Sequence, residues 1–119
     1  MHTSNNHLKP SKRRIKKRHE FTRIQRVGRR FKSAFVILLG KRTRGLGRLG
    51  ITVSKTVGKA HVRNLVKRRI RHVIRENPSF IEHLDLVVIA LPEAAKASFQ
   101  QLKKDIERAY EGLRSRYRP

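Results

Sequence analysis

Apolar residues recur along the chain at two spacings, and each change of spacing marks a new element. Phe21, Ile24 and Val27 step three at a time, the period of a short amphipathic helix that Gly28 closes. Residues 34–39 form a run of bulky and β-branched side chains, and Leu49, Ile51 and Val53 alternate with Gly50 and Thr52. Both patterns predict strands, joined by the polar, glycine-bearing segment 41–47. The helical stripe returns at Val62, Leu65, Val66, Ile70, Val73 and Ile74, and a further strand over residues 85–90 is closed by Pro92. A last helix carries Phe99, Leu102, Ile106, Ala109, Tyr110 and Leu113 on one side. Ser98 and Gln101 before it have capping-box spacing, in which each side chain satisfies a backbone donor freed at the helix start. Helix, two or three strands, helix, strand, helix is an α+β plan around one mixed sheet. The length of 119 residues suits one domain, placed at 19–117. Residues 1–18 have seven Lys or Arg and no apolar period, which predicts a mobile basic arm.

The polar positions change the picture more than the apolar ones. The chain has 31 Lys and Arg against 8 Asp and Glu, a net charge of +23. Residues 1–75 hold 24 of the cations and one acid, Glu20, whereas residues 76–119 hold seven of each sign. All of the excess therefore lies in the first 75 positions, and a polyanion is the partner that best relieves it. The stretch RNLVKRRIRHVIRE, residues 63–76, concentrates five arginines and a lysine on one helix. At about 100° per residue, Asn64, Lys67, Arg68, Arg71 and Arg75 gather in an arc of about 100° opposite the apolar stripe, with Arg63 and Arg69 at its margins. Lys67 with Arg71 and Arg71 with Arg75 are like charges at i,i+4, which repel by about 0.2–0.5 kcal/mol per pair. A merely solvated face would carry Glu at many of these places, and none occurs before Glu76. Arginine offers planar, bidentate donors to phosphate, and Asn64 beside Arg63 adds an amide suited to base edges or 2′-hydroxyls.

Other classes of chemistry find little support. A protein nuclease needs paired carboxylates, a histidine pair or a metal cluster, but Glu20 is the sole acid among the first 75 residues. His61 and His72 share a helix face about 16 Å apart, and His2, His7, His19 and His83 are scattered. The GLGRLG stretch at 45–50 fits G-x-G-x-x-G yet runs into a strand, whereas a dinucleotide loop opens a helix. No catalytic side chain and no organic cofactor is assigned, and metal ligands are left unknown. The absence of Cys excludes disulfides and cysteine zinc sites and fits a reducing compartment. The longest apolar stretch, 86–91, is too short to span a bilayer, and the N-terminus has no apolar signal region, so a cytoplasmic protein without membrane contact is expected.

The stretch GITVSKTVGKAHVRNLVKRRIRHVIRE, residues 50–76, resembles the signature of the bacterial ribonuclease P protein family. Ser54, Lys55, Gly58, Ala60, Arg63, Asn64, Lys67, Arg68, Ile70 and Arg71 meet its pattern, and the likeness extends over about residues 14–117. One position departs: Leu65 stands where the family usually has a third residue of an Arg-Asn-Arg motif. The wheel places Leu65 on the apolar side, so it is expected to enlarge the core.

The resemblance implies an α-β sandwich with a left-handed β-α-β crossover, against the usual hand. It implies a protein subunit that assists a catalytic RNA, with its Mg2+, in removing the 5′ leader from precursor tRNA. Lys55, Lys59, Arg63, Asn64, Lys67, Arg68 and Arg71 would meet the catalytic RNA. Phe21, Val36, Leu38 and Thr52 would line a cleft for the single-stranded leader, where bases stack without sequence demand. Composition alone leaves open a structural RNA-binding protein, such as one of the ribosome.

Overall fold

The computed structural model describes residues 15, 22–24, 26 and 28–116. The basic arm, Ile15 excepted, lies outside the described residues, as do Phe21 and Val27. Residues 22–24 and 26 are helical, and the Gly28 N–H donates to the Ile24 carbonyl at 2.9 Å, closing this helix as its spacing predicts. Strands β1 (Arg29–Lys32), β2 (Val36–Leu46) and β3 (Leu49–Thr52) follow, then helix α1 (Ala60–Glu76), strand β4 (Glu82–Ala90) and helix α2 (Phe99–Ser115). The sheet order is β1-β2-β4-β3. The β1–β2 and β2–β4 pairs are antiparallel and β3–β4 is parallel, so the expected mixed sheet is present, with α1 connecting the parallel pair.

Two strand boundaries differ from expectation. β1 forms from RRFK, which has no apolar run, and β2 continues through the polar residues expected to be a loop. The ladder explains both: Phe31 pairs with Leu38, while Lys41 pairs with Asp85 and Arg42 with Leu84. Pairing to a formed strand satisfies backbone groups whatever the side chains are.

Both helices cover one face of the sheet. Val36 and Leu38 of β2, with Leu86 and Val88 of β4, meet Val66, Ile70, Val73 and Ile74 of α1 and Leu102, Ile106 and Leu113 of α2, all buried. Each such side chain contributes roughly 1.5–3 kcal/mol. Asp105 on α2 is buried and accepts from the Ser33 hydroxyl at 2.7 Å and the Phe35 N–H at 2.8 Å, fixing the turn between β1 and β2. On the other face, Ile15 and Ile24 bury Leu39 and Val87. The Ile15 N–H also donates to Leu49 O at 3.0 Å, on β3.

Candidate nucleic-acid interface

The cationic ridge begins in the turn before α1. Lys55–Val57 form a short 3-10 turn, pinned at one end by a 2.6 Å bond between the Ser54 and Thr56 hydroxyls and at the other by buried Val57. Gly58 then takes φ +154°, and a Cβ there would press on Val62 Cγ1 at 3.1 Å, so the residue is held to glycine. Arg63 Nε donates to Gly58 O at 3.1 Å. One of the five guanidinium donors thus locks the turn to the helix.

Lys59 occupies the N-cap of α1 without a capping side-chain bond, and the first turn has no acid. Helix starts favour Asp, Ser or Thr, because free N–H groups and the macrodipole attract negative charge. A lysine here adds charge of the wrong sign for the helix alone, but the right sign for a phosphate. Lys55, Lys59, Asn64 and Arg68 are exposed, and Arg63, Lys67 and Arg71 are half-buried. Six of the seven residues expected to meet RNA thus lie along α1 or at its cap, and Lys55 lies in the preceding turn. Among the described residues, no carboxylate pairs with Lys55, Lys59, Lys67 or Arg68.

The margins of the ridge are tied to the fold. Arg69 Nη1 donates to Ala97 O at 2.8 Å, fastening α1 to the segment before α2. His72 meets Glu76 at 3.2 Å and packs edge-on against Phe99 at 5.0 Å between ring centroids, while Lys103 of α2 reaches Glu76 at 3.2 Å. The Lys103 hydrogen bond, with a smaller contribution from His72, holds the Glu76 carboxyl below its ordinary value. Leu65 does not enlarge the core. It is 38% exposed, because at that angle the helix has already turned away from the sheet.

The leader expectation is corrected at two of its four positions. Val36 and Leu38 are wholly buried on the helix-covered face and present no surface to a base. On the opposite face, a cross-strand row reads Lys32, Ile37, Ile89 and Thr52. Ile37 and Ile89 are half-buried beside the cluster under Ile24, with exposed Lys32 at one end and exposed Thr52 at the other. Thr52 is thus exposed on the face away from α1 and α2, and Phe21 lies outside the described residues. Lys32, Ile37 and Ile89 of this row were not singled out from the sequence. β2 is apolar on both faces, so its pattern does not say which residues face which way.

The buried acids serve the fold. Asp105 holds the 33–35 turn, and Asp85 accepts the Arg48 N–H at 2.9 Å and lies 3.7 Å from its guanidinium. No group of three or more His, Cys, Asp or Glu suited to a metal ion occurs among the described residues. No helix among them is long and apolar enough to cross a membrane.

Comparison with known proteins agrees with this architecture. Residues 9–114 match the family described as Ribonuclease P. The ribonuclease P protein component of Citrifermentans bemidjiense is 34% identical over 109 residues, spanning 91% of this chain and 94% of that one. Among solved structures, Staphylococcus aureus RNase P protein superposes with a TM-score of 0.77 at 32% identity, covering 82% of this chain and 92% of that one. The Thermotoga maritima RNase P protein gives 0.76 at 25% identity, covering 84% and 96%.

Proposed function

The chain belongs to the ribonuclease P protein family, and from that premise we propose that it is the RNA-binding subunit of a ribonuclease P, acting in 5′-leader removal from precursor tRNA. The carrying observation is the outward face of α1: a helix without a capping side chain, with six cations before its first acid, continuous with a glycine-locked cationic turn. In this reading the ridge seats on the phosphates of the catalytic RNA, and bidentate arginines fix its orientation. The row of Lys32, Ile37, Ile89 and Thr52 receives the unpaired leader. Its isoleucines lie under bases and its lysine meets the backbone, a combination indifferent to sequence.

Cleavage of the phosphodiester bond is assigned to the RNA subunit with its Mg2+, and the protein's part is to hold both RNAs together. We place this work in the cytoplasm. Reconstitution tests the reading: at low Mg2+, adding the protein to a bacterial ribonuclease P RNA and a precursor tRNA should restore cleavage at the mature 5′ end. Substrate affinity should rise with leader length. A structural RNA-binding role would leave both unchanged, and that result would refute the assignment.

A further inference from the structure

The outward face of α1 has two unlike flanks. At about 100° per residue, Arg63 and Lys67 form one flank, where cations sit on flexible stems. His61, Leu65, Arg68 and His72, at i, i+4, i+7 and i+11, form the other, and all four are exposed. Leu65 is the one exposed large hydrophobic among the described residues. His72 beside it is held by Phe99 and Glu76, so its ring is a fixed wall. Two imidazoles and a guanidinium have flat faces, and leucine adds an aliphatic one. Such groups lie against nucleobases, whereas point charges neutralise phosphates.

A lone exposed leucine needs no explanation by itself. This one lies between two histidines and next to Arg68, on a helix whose other outward positions draw in polyanion. A second copy of the chain would set +23 against +23 and is a poor occupant. An RNA whose phosphates rest on the ridge brings its bases to this flank. Building on the reading of the ridge as the catalytic-RNA interface, we propose that Leu65, with His61, Arg68 and His72, seats an unpaired base of the catalytic RNA. The contact is apolar, so it adds affinity that salt does not erode.

The test uses the full chain and a ribonuclease P RNA, with binding measured across a salt series and unpaired bases probed with base-modifying reagents. Leu65→Ala should weaken binding by about tenfold at every salt concentration, as expected for the apolar area lost. Its log–log salt slope should match wild type, and one or a few unpaired bases should lose protection. Leu65→Met should keep wild-type affinity and Leu65→Gln should not. Lys67→Ala on the opposite flank, by contrast, should reduce the slope by about 0.7 to 0.9. If Leu65→Ala binds within twofold of wild type, or Met and Gln behave alike, the base seat is refuted while the ridge stands. If the wild type fails to bind, or Lys67→Ala leaves the slope unchanged, the ridge itself is refuted.

Discussion

α1 and α2 are both 17 residues long, lie in one layer and bury one stripe against the same sheet, yet they are finished in opposite ways. α2 starts with a complete capping box: Ser98 Oγ accepts the Gln101 N–H at 3.1 Å, and Gln101 Oε1 accepts the Ser98 N–H at 2.9 Å. Its charges alternate in sign, with Asp105, Glu107 and Glu111 among Lys103, Lys104, Arg108 and Arg114. α1 has a lysine at its cap and a single acid at its end. The contrast separates two demands on a helix. α2 is written by the fold, and α1 keeps the core-facing half of that design while its outer half gives up local stability that a bound polyanion restores.

The contrast breaks hardest at Asp105. Asp105→Ala leaves the Ser33 hydroxyl and the Phe35 N–H without their buried acceptor and should cost roughly 2–4 kcal/mol of folding stability in urea titrations. The RNA affinity of the folded protein should not change, because α2 does not face RNA in this account.

Next come the two caps. Ser98→Ala should lose about 1 kcal/mol with no effect on RNA, whereas Lys59→Asp should gain a similar amount by capping α1. The gain should be accompanied by weaker RNA binding and a shallower salt slope. Stability gained at Lys59 without loss of RNA affinity would show that the missing cap serves no ligand.

The smallest effect lies at Glu76, where the two helices meet. Its carboxyl is held below the ordinary 4.5, chiefly by the Lys103 hydrogen bond. The stability it supplies is therefore present above pH 4.5 and lost as pH falls through the lower, folded value. Glu76→Gln should remove that acid-side dependence, which thermal melts from pH 6 down to pH 3 would register.

The two helices were also the parts best read from sequence. Their stripes repeat over many residues, so no local accident hides the period, and the Ser98 and Gln101 spacing became the observed box. Strand faces were harder. Val36, Ile37, Leu38 and Leu39 are all apolar because the sheet is covered by helices on one side and by Ile15 and Ile24 on the other. A period of two cannot show in such a run, so it does not reveal that Val36 and Leu38 face the helices. β1 was invisible because its partner strand, not its composition, makes it a strand. Leu65 shows the limit of the wheel: a hydrophobic residue at the stripe's edge counts as core in a projection, but only the angle between helix and sheet decides whether it is covered.

The two rims of the sheet are both short. β1 and β3 have four residues each; one is RRFK, and the other gives its Leu49 carbonyl to the Ile15 amide. Short rims, arginines on one and an occupied acceptor on the other are devices that blunt edge-to-edge strand pairing, so the ends of this sheet make poor templates for a further strand.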